Sequence, residues 1–271
     1  MLRQPALGII LNSECKASSL YISVALKLIF TYAGFVILMT ATLTDAVSFY
    51  SGEAENFHES YKYDPNRLER LRVWGRFLDK YGGAAEHAYD IGCGSGILAC
   101  DLARRGIETV GLDGAPAMLA IARDMARNAG FDNLTFQQHR LPVADTDGFN
   151  PADLVISSSA IEYLDSIHDA LVFLRKLLRS DGVVIFSVSN RDSWSRAAVR
   201  LVHQISGRPA YIGLLKHFMT VQQIMQELEA ADLTYLEHSF FANADRINQL
   251  LGRVLPPRMS SNMIIVAARR R

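Results

Sequence analysis

The residues with the clearest chemical potential form an acidic, glycine-rich segment at positions 89–96. It reads YDIGCGSG, so an apolar run ends at Asp90 and is followed by Gly92, Gly94 and Gly96. Glycines at this spacing allow a strand-to-helix turn in which a ligand approaches the backbone closely. Asp113 follows 23 positions after Asp90, where a carboxylate can accept hydrogen bonds from both hydroxyls of a ribose. The pattern predicts a mononucleotide-like ligand.

The same turn also fits a dinucleotide-binding fingerprint. Residues 94–99 read GSGILA, which matches the G-x-G-x-x-A form of the nicotinamide motif. Asp90 discriminates between the two alternatives, because an anion repels a pyrophosphate and attracts an ammonium group. The sequence therefore favours a cationic ligand without phosphate and keeps an NAD-dependent oxidoreductase as the alternative.

The strands and helices that position this turn can be predicted from alternating apolar runs and amphipathic stretches. We predict strands at 86–91, 108–113, 134–138, 152–158, 183–189, 233–241 and 262–268. We predict helices at 66–80, 97–105, 116–128, 168–179 and 221–231. Strands alternating with helices are typical of an α/β fold with a mostly parallel sheet. The expected architecture is a Rossmann-like, doubly wound sheet of seven strands that closes with a C-terminal antiparallel hairpin.

Three regions follow from this assignment. Residues 86–271 form the core, in which residues 191–219 interrupt the alternation and are interpreted as a substrate-side insert. Ahead of the core, residues 44–85 combine an aromatic-rich stretch with a helix and are interpreted as a helical lid. Residues 1–43 form a hydrophobic N-terminal extension.

Residues 20–39 of the extension carry a single charge, Lys27. Twenty residues are enough to cross a bilayer of roughly 30 Å as a helix. A central lysine costs about 2.5–3.5 kcal/mol on insertion, and the positive-inside rule would place the core outside the cytoplasm. We therefore expect a non-native extension with Met39 as the working start, and we keep a membrane contact through 20–39 as the alternative.

Net charge and cysteine content indicate which kinds of partner and which cellular compartment to expect. Lys plus Arg and Asp plus Glu both total 28, so no global field favours nucleic acid. The three cysteines, Cys15, Cys93 and Cys100, have no metal-ligand spacing. We therefore expect a cytoplasmic protein with a small-molecule partner, no metal and no nucleic acid.

The motifs resemble the class I, or type 11, S-adenosylmethionine-dependent methyltransferase family. The resemblance rests on YDIGCGSG at 89–96, GLDGAPAML at 111–119 and ADLVISSSAIEYL at 152–164. It implies that S-adenosylmethionine is the cofactor, that Asp90 meets its amino group and that Asp113 binds its ribose. The other residues that it assigns to the cofactor are Gly92, Cys93, Gly94, Gly96, Gly114, Met118, Gln138 and Ser157.

One position departs from the family pattern. Many relatives have an Asp shortly before a Leu-Pro pair to bind the adenine amino group, whereas residues 137–142 read QQHRLP. We expect Gln138 or a backbone carbonyl to substitute. The missing acid is the only sequence support for a non-catalytic cofactor-binding protein.

Methyl transfer depends mainly on aligning the acceptor, the methyl group and the sulfur. A base helps where the acceptor is a hydroxyl or an ammonium group. Glu162 and His217 are the candidate catalytic residues. The ordinary alternative for Glu162 is an exposed acid at a helix start, and that for His217 is a structural hydrogen-bond partner.

Five further residues are candidates for contact with the substrate or the lid. Asn190 and Arg191 follow the fifth strand, and Tyr50, His58 and Tyr61 lie in the aromatic stretch. Solvent contact for Arg191 and ordinary packing for the aromatic residues are the alternatives. The expected function is methyl transfer to a small-molecule, lipid-linked or glycan acceptor, with a weak preference for oxygen.

Overall fold

The computed structural model of the protein describes residues 45–142 and 146–271. The predicted extension at 1–43, with its apolar stretch 20–39, lies outside the described residues, as does Cys15. The predictions made for that part of the chain therefore remain predictions.

A seven-stranded sheet forms the centre of the protein. Its strands are β1 His87–Ile91, β2 Glu108–Asp113, β3 Leu134–Gln138, β4 Ala152–Ser158, β5 Leu178–Ser189, β6 Leu233–Phe241 and β7 Met263–Arg270. Their order is β3-β2-β1-β4-β5-β7-β6. The first five are parallel, and β7 runs antiparallel to both β5 and β6. The predicted Rossmann-like sheet with its C-terminal antiparallel hairpin is confirmed.

Helices cover the sheet and the carboxyl ends of its strands. They are α1 Ala46–Gly52, α2 Ala54–Ser60, α3 Pro65–Tyr81, α4 Ile97–Arg104, α5 Pro116–Ala129, α6 Ile167–Lys176, α7 Trp194–Ser206, α8 Tyr211–Leu214, α9 Val221–Ala230, α10 Arg246–Leu251 and α11 Pro257–Ser260. None of these described helices combines the length and the apolar character needed to cross a membrane.

Both faces of β4 are buried, which explains its nearly continuous apolar sequence. Side chains alternate between the two faces of a strand. Leu154 and Ile156 therefore belong to the apolar cluster that contains Trp74 of α3, whereas Val155 belongs to the cluster that contains Leu171 of α6. The helices on both faces hold the carboxyl end of β4 rigidly beside that of β1.

Two predicted segments differ from the structure. The helix predicted at 168–179 ends at Lys176, and β5 begins at Leu178, which pairs with Ala152. The insert at 191–219 contains the 13-residue helix α7. Ser193 caps its start and Gly207 ends it in the left-handed conformation. The prediction missed α7 because its apolar residues do not join the core.

Candidate functional site

The carboxyl ends of β1 and β4 border a cavity of about 990 Å³. The strand order reverses between these two strands, which is the usual ligand position in open α/β sheets. Residues of α1, α2 and α3 line the cavity together with the glycine turn, the loop after β4 and part of the insert. The aromatic stretch that we predicted as a lid thus contributes to the cavity wall.

The glycines of the turn have different tasks. Gly92 (φ +71°) and Gly94 (φ +53°) line the cavity in backbone conformations that favour glycine. Gly96 (φ +79°) is buried, and a Cβ there would lie 2.8 Å from the Cβ of Ala122. Gly96 does not itself line the cavity, and its lack of a side chain allows α4 to pack closely against α5.

Asp90 is a buried carboxyl group beneath this turn, behind the residues that line the cavity. It is 1% exposed, and neither carboxyl oxygen accepts a hydrogen bond of good geometry among the described residues, although the backbone N–H of Ala99 is near enough to oppose the rise of its pKa. Burial, together with the charge of Asp113, raises the pKa of Asp90 from 3.8 to about 8. A buried polar group without a partner is costly. The arrangement therefore fits a cationic ligand group that completes the pairing.

Asp113 ends β2 and lines the cavity. Its two carboxyl oxygens accept hydrogen bonds from the backbone N–H groups of Gly94 and Ala115, each at 2.8 Å. These bonds fix the side chain and leave further lone pairs for ribose hydroxyls. Gly114 and Met118 also line the cavity, and a Cβ at Gly114 would lie 2.8 Å from Cγ2 of Val47. A small residue at Gly114 therefore lets α1 approach the site.

Two arginines that the sequence analysis did not single out enter the cavity from α3. Arg67 and Arg70 are one helical turn apart. The guanidinium of Arg70 donates to the hydroxyls of Ser158 and Ser159, each at 3.0 Å. That of Arg67 lies 4.2 Å from the ring centroid of Phe57. Neither arginine takes part in an ion pair among the described residues, so both can meet an anionic ligand group.

Glu162 lies in the 3₁₀ turn Ile161–Tyr163 after β4 and is 2% exposed. Its carboxylate lines the cavity and accepts the backbone N–H of Ser189. Burial raises the pKa of Glu162, and the charges of Arg196 and Arg70 oppose this rise. The alternative of an exposed acid at a helix start is therefore wrong.

A pair of tyrosines lies next to Glu162. The hydroxyls of Tyr50 and Tyr163 are 2.6 Å apart, and both residues line the cavity. Burial raises the pKa of both side chains. Tyr50 is the residue predicted as a lid contact, and the position of Tyr163 after the fourth strand predicts its access to the same crevice.

Three residues that the resemblance assigned to the cofactor lie behind the cavity wall. Ser157 is fully buried and donates to the carbonyl of Ile91 at 2.9 Å, which ties β4 to β1. Cys93 packs its sulfur against Gly111. Gln138 is exposed and donates to the carbonyl of Gly114 at 3.4 Å. The structure places none of the three side chains on the cavity.

The two predicted substrate contacts after the fifth strand, Asn190 and Arg191, do not line the cavity. Asn190 is fully buried, and its amide donates to the carbonyls of Arg258 and Ser261, each at 2.7 Å. Arg191 is exposed and does not line the cavity. Two other cations of the insert do line it, Lys216 and Arg196 of α7, and Arg196 donates to the Tyr211 hydroxyl at 3.1 Å.

The remaining candidates serve local structure. Nε2 of His217 lies 2.9 Å from the carbonyl oxygen of Leu164, which matches the structural alternative. The ring of Tyr61 packs against Phe57 with centroids 5.7 Å apart. His58 and Tyr61 do not line the cavity. Within 45–142 and 146–271, no group of three or more His, Cys, Asp or Glu residues is arranged to hold a metal ion.

Comparison with known proteins connects this geometry to a family. Residues 89–186 match the family model described as a methyltransferase domain. A ubiquinone biosynthesis O-methyltransferase of Acinetobacter baumannii (strain ACICU) is 30% identical over 138 residues, which cover 50% of this chain and 55% of that protein. The corresponding protein of Ruegeria sp. (strain TM1040) is 29% identical over 154 residues, covering 56% and 62%. The chain thus spans between half and two thirds of the length of these relatives.

Solved structures show the same fold. The magnesium protoporphyrin IX methyltransferase of Synechocystis, with bound S-adenosylhomocysteine, superposes with a TM-score of 0.62 at 16% identity. This alignment covers 82% of our chain and 96% of that one. A methyltransferase of Mesorhizobium loti gives a TM-score of 0.55 at 21% identity over 72% and 95% of the chains. These matches give no support to the nicotinamide alternative. Residues 89–186 thus match a methyltransferase domain, and the chain shares the fold of solved S-adenosylmethionine-dependent methyltransferases.

Proposed function

We propose that the protein transfers a methyl group from S-adenosylmethionine to a hydroxyl group of a small-molecule acceptor. The observation that carries the proposal is the unpaired, buried carboxyl of Asp90 beneath the glycine turn. Asp113 and Glu162 line the cavity that this turn borders. A cationic nucleoside and an acceptor with a removable proton fit this set of groups.

The residues present fit the cofactor. Asp90 supplies the negative charge for its ammonium group, and Asp113 supplies acceptors for its ribose hydroxyls. Arg67 and Arg70 supply donors for its carboxylate. Met118 provides apolar surface for the adenine. When bound, S-adenosylmethionine supplies an electrophilic methyl group on a positively charged sulfur.

Glu162 is the proposed general base. The N–H of Ser189 holds its carboxylate, and the raised pKa makes it a stronger proton acceptor near neutral pH. As the acceptor oxygen gains its methyl group, its proton moves to the Glu162 carboxylate. Tyr50 and Tyr163 offer hydroxyls that can orient the acceptor next to this base.

The names of the curated relatives support oxygen as the acceptor atom, because both are called O-methyltransferases of ubiquinone biosynthesis. A lipid-linked acceptor and a cytoplasmic location belong to the same proposal. The competing possibility is a protein that binds the cofactor without turnover, for which the sequence offers the missing acid before Leu141.

The test uses the full chain with S-adenosylmethionine carrying a labelled methyl group and a panel of phenols, alcohols and amines. We expect transfer to hydroxyl acceptors. For Glu162→Gln we expect kcat to fall by about 10²–10⁴, while the Kd for S-adenosylhomocysteine changes by less than about twofold. Glu108→Gln is the matched control, because it is the same substitution at an acid that is 67% exposed and does not line the cavity. Transfer to amines alone, or full activity of Glu162→Gln, would contradict the proposal.

A further inference from the structure

Helix α7 directs its apolar side chains away from the protein. None of its 13 residues is buried. Trp194 is 57% exposed, Leu201 59% and Ile205 81%. Large apolar residues at such exposure are unusual when they share one face of a helix.

The helix packs on the body with its polar side. At about 100° per residue, the positions of Trp194, Leu201, Val202 and Ile205 fall within an arc of about 100°. The half-buried residues Ser195, Arg196, Val199 and His203 lie on the other side. An amphipathic helix that covered a core would be oriented in the opposite way. The apolar arc of α7 therefore has no partner among residues 45–142 and 146–271 and is available for contact with another surface.

A second exposed apolar segment belongs to the same region. Leu250 at the end of α10 is 61% exposed, and Val254 in the following loop is 80% exposed. The short helix α11 packs against both α7 and α10, so the two apolar segments share a neighbour. We call α7 together with residues 250–254 the basic apolar face.

The charge of this region is strongly positive. Residues 191–208 contain four arginines and one aspartate, a net charge of +3, although the whole chain has a net charge of zero. Residues 246–258 contain three arginines and no acid, which gives another +3. Asp192 and Asp245, which caps the start of α10, are the acids next to these arginines in the sequence. Exposed apolar side chains next to an excess of arginines over acids complement a surface that is anionic and has an apolar interior.

We infer that the basic apolar face binds an anionic lipid bilayer. Helices with Trp, Leu and Ile on one side and cations on the other lie in the plane of a membrane surface, with the apolar side inserted between the head groups. Each nearby arginine adds attraction to anionic lipid. This mode of binding needs no membrane-spanning segment.

The position of the face has a consequence for the cavity. Arg196 of α7 and Tyr211 of α8 both line the cavity, so the insert that carries the apolar arc also forms part of the cavity wall. Binding at this face would bring the cavity close to the bilayer and let an apolar acceptor reach it directly. Only this consequence rests on the proposed methyl transfer, whereas the membrane contact stands without it.

Tryptophan fluorescence provides a local test on the full chain. The protein has two tryptophans, of which Trp74 is fully buried and Trp194 is exposed. Adding vesicles of phosphatidylcholine enriched in phosphatidylglycerol should shift the emission to shorter wavelength, because Trp194 leaves water. Pure phosphatidylcholine should give a much smaller shift, and added salt should weaken the effect. Trp194→Phe should abolish the shift while the protein still sediments with the vesicles.

The double variant Leu201→Glu, Ile205→Glu should reduce the fraction of protein that gives the shift by at least about tenfold. Met225→Glu is the matched control, because Met225 is 45% exposed on α9 and does not belong to the face. Since the emission reports on Trp194, vesicle binding by another segment of the chain does not mimic it. An absent shift with anionic vesicles, an unchanged shift in the double variant, or a lipid-independent shift that grows with protein concentration would overturn the inference. The last result would indicate self-association through this face.

Discussion

Asp90 makes cofactor binding depend on pH in a way that can be calculated. Without a ligand, burial holds the pKa of this carboxyl at about 8, so the group is protonated at neutral pH. The ammonium group of the cofactor favours the charged carboxylate. Binding at pH 6–7 should therefore release close to one proton, and the affinity should rise by up to about tenfold per pH unit below pH 8.

The raised pKa of Asp90 also lowers the folding stability of the ligand-free protein at neutral pH. Since its pKa in the folded state lies above its value of 3.8 in the unfolded chain, the stability contribution is complete below pH 4 and is lost as the pH rises to about 8. At pH 7 the free energy of unfolding is therefore lower than below pH 4 by as much as about 4 kcal/mol, at 1.36 kcal/mol per pKa unit. In Asp90→Asn the new amide also lacks a partner, which costs about 1–3 kcal/mol. We therefore expect Asp90→Asn to stabilise the free protein at pH 7 by about 1–3 kcal/mol.

Two assays check this prediction. Calorimetric titration of S-adenosylhomocysteine in buffers of different ionisation enthalpy measures the released proton, and urea unfolding measures the free energy of unfolding. Asp90→Asn should bind at least about tenfold more weakly and release no proton. Asp101→Asn is the matched control, because Asp101 is a partly exposed acid paired with Arg105. Binding without proton release in the unmodified protein, or a destabilised Asp90→Asn variant, would refute the reasoning.

Two further predictions concern the glycine turn and the arginines of α3. Gly96→Ala should lower the free energy of unfolding by about 2–4 kcal/mol in urea unfolding, because the new Cβ meets Ala122 in a left-handed backbone. Gly106 also has a positive φ, but a Cβ there would have no atom within 4 Å, so Gly106→Ala should lower the free energy of unfolding by only about 1 kcal/mol. Equal losses in the two variants would contradict the packing role of Gly96. Arg70→Met should weaken binding of S-adenosylhomocysteine by at least about tenfold and leave that of adenosine unchanged, because adenosine has no carboxylate. Equal weakening of both ligands in calorimetry would show that Arg70 acts only on the structure.

Much of the sheet could be predicted from the sequence. The strands β2, β3, β4 and β6 have the predicted bounds. The antiparallel hairpin also followed from two late apolar runs. The start of β5 could not be predicted, because residues 178–182 include polar side chains that suit a helix end equally well.

The candidate site was predictable only in part. Asp90 and Asp113 follow from a local motif, whereas the position of Arg70 depends on how α3 packs across the sheet. Asn190 was wrongly predicted as a substrate contact, because its position after a strand does not reveal that backbone carbonyls take both its amide hydrogens. The prediction missed helix α7 because none of its residues is buried, so its apolar side chains do not belong to the core.

The central claim is that the cavity beside the glycine turn holds a cationic nucleoside without phosphate. The most direct test is calorimetric titration of the full chain with S-adenosylmethionine, S-adenosylhomocysteine and NAD. We predict that both sulfur compounds bind, that Asp113→Ala abolishes this binding and that NAD does not bind. Binding of NAD with neither sulfur compound would contradict the claim.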